Sequence, residues 1–227
     1  MMREPSEAAF LADVQHHQMQ VLRDDGLYRH LRFRKPGEFG FDQSFDLLTW
    51  PGSLCFTGDM GTYVFSRVDD MFEFFRLDRR CPRREGVAIN PGYWGEKLQS
   101  VDRIDGYKRF SLEDFKQAAR ACFHNLTKDT DAWPPEKRRE LQEALEERVF
   151  NAEDEHEAVQ AIREFSHPGA EDLFADFGER SLMRYSRRFM WCCYAVSWGV
   201  QVYDERERVA VADNASAGMP RERERAA

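Results

Sequence analysis

From Phe189 to Tyr203 the chain runs fifteen residues without a charge, through Phe189-Met190-Trp191-Cys192-Cys193-Tyr194-Ala195 and past Trp198-Gly199. At helical spacing Tyr185, Phe189, Cys192, Val196 and Val200 line one face, and Trp191, Tyr194, Trp198 and Val202 line another. A helix apolar on two faces has no side to offer water, so it must be enclosed between other layers. The run falls short of the ~20 apolar residues that a bilayer crossing needs. The segment from about Leu182 to Tyr203 is therefore expected to be a buried core helix, and the rest of the chain must supply its surroundings.

Those surroundings read as a sheet followed by helices. Leu27, Leu31 and Phe33 alternate with Tyr28, His30, Arg32 and Arg34, the period of a half-buried strand. Phe45 to Trp50, Ser53 to Thr57 and Thr62 to Phe65 read as three more, separated by Pro51-Gly52 and by Gly58-Asp59-Met60-Gly61. Ser6 is the expected cap of a first helix carrying Phe10, Leu11, Val14, Val21 and Leu22, with His16 and His17 on it, ending at Asp24-Asp25-Gly26. A short helix is expected over Met71 to Leu77, then an irregular stretch over 79–110 packed by Tyr93 and Trp94.

Ser111-Leu112-Glu113-Asp114 starts a further helix, Pro134-Pro135 another with Leu141, Leu145 and Val149, and Asn151 caps one with Val159, Ile162 and Phe165. The pattern is α+β: a small antiparallel meander sheet in the N-terminal half packed by helices, and an all-helical C-terminal half around a central buried helix. One domain is expected over 1–207 and a disordered tail over 208–227, where Glu-Arg alternation gives way to Ala, Ser, Gly and Pro.

Charge narrows the function classes. The chain carries -8, and between Pro134 and Phe165 ten acidic residues face five basic ones. Net acidity weighs against non-specific nucleic-acid binding, which needs Lys and Arg in excess. It suits a solvated helical face, or an acidic patch docking on a basic partner through Glu140, Glu143, Glu147, Glu153 and Asp154. The five cysteines, Cys55, Cys81, Cys122, Cys192 and Cys193, are odd in number and lack metal-ligand spacing. A disulfide between helical neighbours Cys192 and Cys193 would be strained, so a reducing cytoplasm is expected. The first ten residues show no apolar signal core. No metal, cofactor or membrane association is expected.

No Walker loop, GxGxxG, HExxH, GxSxG or CxxC occurs. Three weaker groupings remain. Asp59, held on a tight glycine turn, has a geometry used in proton or metal chemistry, although Asp in turns commonly caps its own backbone. Tyr93, Glu96 and Lys97 bring an aromatic, a carboxylate and an ammonium together, in a small-molecule pocket or as a surface ion pair beside an anchoring Trp94. Arg32 and Arg34, with Tyr28, His30 and Lys35, form a basic strand face able to contact phosphate or single-stranded nucleic acid; charged residues on an edge strand also deter pairing with other chains. His16 and His17 diverge by about 100° on a helix and make a poor joint metal site.

Trp50-Pro51-Gly52, Cys55-Phe56-Thr57-Gly58-Asp59-Met60-Gly61-Thr62-Tyr63-Val64-Phe65 and Asp70-Met71-Phe72-Glu73-Phe74-Phe75 resemble the core of a family of phage and prophage accessory proteins. Tyr93-Trp94-Gly95-Glu96-Lys97-Leu98, with Trp191-Cys192-Cys193-Tyr194-Ala195 and Trp198-Gly199, resembles its later motifs. The resemblance spans about Leu27 to Tyr203 and implies an accessory gene of a bacterial virus acting in the host cytoplasm. It implies no catalytic residue.

Three functional readings follow. The first is a non-enzymatic accessory protein that binds and inhibits a host protein, with a defence system as the target class. The second is a small enzyme acting on a nucleotide or similar anion through Asp59, Tyr93, Glu96 and Lys97, with Arg32 and Arg34 as anion contacts. The third is a single-stranded nucleic-acid binder using Arg32 and Arg34.

Overall fold

The computed structural model describes residues 5–37, 40–79 and 86–217. Its elements are α1 (Glu7–Val14), β1 (Gln18–Asp25), β2 (Tyr28–Arg34), β3 (Phe45–Trp50), β4 (Ser53–Gly58), β5 (Gly61–Ser66) and α2 (Met71–Arg79). They continue with α3 (Pro91–Gly95), β6 (Leu98–Ser100), β7 (Lys108–Phe110), α4 (Leu112–Leu126), α5 (Pro135–Arg148), α6 (Glu155–Glu164), β8 (Met183–Tyr185) and α7 (Arg187–Ala217). A 3-10 turn lies at Phe177–Glu179. The protein is α+β. The chain gathers into two compact units, one of Met1–Tyr107 with Tyr185–Ala227 and one of Lys108–Arg184.

The first unit is a six-stranded antiparallel meander in the order β1-β2-β3-β4-β5-β6. Two-residue turns join β1 to β2, β3 to β4 and β4 to β5: Gly26 and Gly52 both take positive φ, and Pro51-Gly52 is the Pro-then-Gly pair of a type II turn. Alternation sorts the side chains, so Leu31, Phe33, Phe45, Leu47, Leu54, Phe56, Tyr63 and Phe65 are all buried on one face. Against that face lies α7, through Phe189, Trp191, Cys192, Val196 and Val200. Its approach is close: a Cβ on Gly199 would come within 2.7 Å of Leu47 Cδ1 and 3.2 Å of Phe33 Cζ.

Polar ties fix the angle of the surrounding helices. Trp191 Nε1 donates to Asp13 of α1 at 3.0 Å. Arg76 of α2 donates to Asp204 of α7 at 2.7 Å. Arg29 grips Asp70 with both terminal nitrogens and lies over the rings of Phe72 and Tyr203. Such charge-assisted forks specify geometry as well as adding energy.

The second unit has its own core of Phe115, Ala119, Leu141, Leu145, Val149 and Ala158, drawn from α4, α5 and α6. Ser111 caps α4, accepting from Asp114 N at 3.2 Å. The two ends of the unit pair as the β7–β8 ribbon, and Arg184 holds Asp114 through two charge-assisted hydrogen bonds.

Several expectations need correction. The first helix stops at Val14, and residues 18–25 are the edge strand β1, paired with β2 along its length. Met19 and Val21 supply a period of two that a helical reading of Val21 and Leu22 masks, and the free edge of β2 decides between them. His16 and His17 consequently sit in the turn after α1. The irregular stretch holds α3, β6 and β7; β1 and β6 extend the expected four strands to six, and β7 pairs apart with β8. Asp154 rather than Asn151 caps α6. One domain is expected over 1–207; within it each of the two compact units has its own buried cluster. Residues 208–217 extend α7, and 218–227 lie outside the described residues.

Gly58 shows how tightly the meander closes. A Cβ there would lie 2.2 Å from the Ser44 carbonyl oxygen and 2.7 Å from Phe45 Cα, both backbone atoms that cannot swing away. Gly58→Ala should lower stability by about 1–3 kcal/mol, read as a lower urea midpoint at unchanged slope.

Candidate functional site

At 100° per residue, Glu136, Glu140, Glu143 and Glu147 of α5 fall within an arc of about 60° and span about 16 Å. Leu141, Leu145 and Val149 occupy the opposite side and are fully buried. The four carboxylates therefore form the outermost line of the helix, and all four are exposed. Arg139 approaches Glu143 at 3.8 Å. Glu136, Glu140 and Glu147 have no ion pair among the described residues. The unit bearing this line holds eighteen acidic and twelve basic residues, so its net of -6 is most of the chain's -8.

Sequence reading places Glu153 and Asp154 with that surface, and the structure gives Asp154 a different task. Its carboxylate accepts from Glu157 N at 2.9 Å, while Glu157 reaches back to Glu153 N at 2.8 Å. This reciprocal cap starts α6. Glu153 and Asp154 remain exposed. Trp133 and His167, which sequence reading leaves out of the site, line a cleft of about 510 Å³ with Lys137 and Glu140. Trp133 stands immediately before the double proline that starts α5, the one signal that it would lie beside the stripe.

On the sheet, Arg32 and Arg34 do not form a paired anion clamp. Arg32 lies across from Asp46 in the β2–β3 register and donates to it from Nε at 3.0 Å and from Nη2 at 2.9 Å. His30 Nε2 meets the same carboxylate at 2.6 Å. Burial works to raise the Asp46 pKa, but the hydrogen bonds from Arg32 and His30 outweigh it and hold the carboxyl below its ordinary value. Arg34 is exposed, with no ion pair among the described residues. One guanidinium is thus neutralised in place and the other stands alone.

The four residues nominated for catalysis are split between the two ends of β5. Asp59 lies in the turn two residues before Gly61, where β5 begins, whereas Ser66 N, at its far end, donates to the Lys97 carbonyl at 2.9 Å. Five residues of strand separate these ends by roughly 17 Å. Near Lys97 the expected grouping does form: Nζ lies 3.2 Å from Glu96 and 4.6 Å from the centre of the Tyr93 ring. Trp94 is wholly buried beside Phe75, the anchoring role expected of it.

Asp59 instead braces a loop. Its carboxylate accepts from Gln43 N at 3.0 Å, and its own N–H donates to Ser44 O at 3.0 Å. Gln43 has φ +55°, a left-handed conformation that costs a non-glycine residue about 1–2 kcal/mol. From the other side His17 Nε2 lies 3.1 Å from Gln43 O. A carbonyl only accepts, so the proton is on Nε2, and Nδ1 is buried with no donor among the described residues.

Cys192 and Cys193 are fully buried free thiols whose pKa values burial pushes well up, so they pack as small hydrophobes. Cys81 lies outside the described residues. Among the described residues no group of His, Cys, Asp and Glu is arranged to hold a metal ion. No helix among them is long and apolar enough to cross a membrane. Fold and surface together define the class: an α+β protein with a buried helix beneath a meander sheet and a separate acidic helical unit. No family model, curated protein or solved structure matches the chain.

His17 generates a pH prediction. Burial is the largest influence on its pKa and lowers it from 6.5, so the unfolded chain binds a proton more readily than the folded one. Stability should fall as pH drops below about 6.5 toward the folded-state value. His17→Gln keeps a side-chain donor for Gln43 O and should flatten the thermal-stability profile between pH 7 and 5.5, as read by Tm (both limits approximate).

Proposed function

We propose that this chain is a non-enzymatic accessory protein of bacteriophage origin that binds and inhibits a host protein in the bacterial cytoplasm. Its docking surface is the acidic line on α5. The observation that carries the reading is the placement of Glu136, Glu140, Glu143 and Glu147 diametrically opposite the buried side of the helix, three of them without ion-pair partners among the described residues.

Stability does not favour that arrangement. Carboxylates three and four residues apart on a helix repel one another. Glu136 in the first turn and Arg148 in the last suit the helix dipole, but Glu146 and Glu147 also stand in the last turn, where it favours cations, and Lys137, Arg138 and Arg139 lie in the first turns, where it favours anions. A merely solvated face would gain from Glu-to-Lys pairs at the four-residue spacing. An unpaired acidic line instead suits a partner whose surface is basic, and complementary potential raises association rates and selects partners. Proteins that grip nucleic acid carry such surfaces, which supports a defence nuclease or a similar host factor as the target class.

The enzyme reading loses support because Asp59 and Lys97 stand at opposite ends of β5. The nucleic-acid reading loses support because Arg32 is bound to Asp46.

The test compares wild type with a Glu140→Lys, Glu143→Lys, Glu147→Lys triple variant in pull-downs from bacterial lysate, followed by activity assays on the purified captured protein. Wild type should retain a basic protein, release it as salt rises, and inhibit it when titrated in. The triple variant should lose about tenfold or more in affinity. Its Tm should be unchanged or higher, since reversal relieves repulsion. Equal retention by both proteins rejects the α5 surface.

A further inference from the structure

The core of the second unit leaves a cavity of about 340 Å³ open at one side. Phe110, Phe115, Val159, Ile162, Phe177 and Leu182 supply its apolar walls, from β7, α4, α6, the 3-10 turn and the segment before β8. Packed interiors leave few voids larger than one water. This one has room for roughly eleven, in surroundings that offer them few hydrogen bonds. Its aromatic walls are themselves mutually packed, with Phe115 edge-on to Phe177 at 5.7 Å and Phe110 within 6.0 Å of Phe115. The opening is therefore held by rigid rings.

Two cations mark the cavity. Arg163 contributes from α6, and Arg180 from just beyond the 3-10 turn, where its guanidinium lies 5.9 Å from the centre of the Phe177 ring. Both are exposed, and neither has an ion pair among the described residues. In a unit with a net charge of -6, two arginines without ion pairs among the described residues line its apolar cavity. Guanidinium forks match a carboxylate, and an apolar recess with a few convergent polar groups is the usual form of a small-molecule site.

We infer that this cavity binds a small amphipathic carboxylate, its apolar body between Phe110, Phe115 and Phe177 and its carboxylate at Arg163 and Arg180. At about a water's volume per heavy atom, the cavity admits a body of roughly eight to ten carbons. The site is independent of the α5 surface, since none of Glu136, Glu140, Glu143 and Glu147 lines it.

The test titrates the full chain with hexanoate, octanoate and decanoate, and with octanol as the uncharged control, following amide and methyl NMR shifts. Affinity should rise about fourfold per added methylene, as burial of apolar surface requires, until the cavity is full. Octanoate should bind at one site, shift Val159 and Ile162, and bind at least about tenfold more tightly than octanol. Arg163→Gln with Arg180→Gln should remove that preference and leave octanol affinity unchanged. Val159 is 41% exposed at the mouth, so Val159→Trp tests occlusion without demanding a rebuilt core, and it should abolish binding of both ligands. No saturable octanoate binding, binding that survives Val159→Trp in a variant of normal Tm, or equal affinity for octanoate and octanol overturns the proposal.

Discussion

The close seating of α7 on the sheet at Gly199 is the contact on which the first unit depends. Because that position carries no side chain, Leu47 and Phe33 press directly on the helix, and Trp191 and Trp198 can reach the rings of Phe45, Phe33 and Phe10 around it. Each buried aromatic withdraws about 150–250 Å² from water, and interlocked rings add to that through edge-to-face contact. A larger residue at 199 would lift the helix and loosen every one of these contacts at once. The polar ties then hold what the rings have brought together, Asp13 to Trp191 on one side and Arg76 to Asp204 on the other.

This contact also orders the chain. The strands that receive α7 end by Ser100, and the helix starts at Arg187, so the sheet cannot complete its core until the intervening segment has been traversed. The β7–β8 ribbon and the Asp114–Arg184 pair bring the ends of that segment together. Closing such a loop costs only slowly more as it lengthens, which is why a second unit can be accommodated there. Long-range pairing of this kind slows folding more than it lowers stability.

Legibility followed the range of the interaction that decides each element. Pro51-Gly52 and Gly58 to Gly61 announce the central hairpins because their turn chemistry is local, and the double apolar face of α7 announces burial because it needs no partner to be read. Residues 18–25 misled, since Val21 and Leu22 fit a helix until the edge of β2 is known to be free. Asp59 looked catalytic because a carboxylate on a glycine turn is uncommon. Its partner, Gln43 N, lies in a loop whose approach no local pattern records. Arg32 looked available because Asp46 becomes its neighbour only through the β2–β3 register. The acidic line was legible as charge, but its outward direction followed from Leu141, Leu145 and Val149 together.

The two units differ in what their sequences favour. In the first, Arg29, Arg32 and Arg76 each meet a carboxylate, and turn, register and core patterns agree with one another. In the second, acidic neighbours repel along α5, guanidinium groups stand unopposed, and an apolar cavity is left open within a core drawn from seventy-seven residues. A unit of that size buries about 60% of the surface its unfolded chain exposes, a smaller share than a larger domain does, and has little stability to spare. Local choices that oppose stability collect where molecules are to be met, because a surface already satisfied by its own chain offers nothing to a partner. Arg184 holds the Asp114 carboxyl below its ordinary pKa, so that pair strengthens the closed ribbon above the usual carboxylate range and weakens on acidification. The acidic unit thus gains from charge at its ends while its charge elsewhere works against it, which supports the docking surface proposed on α5.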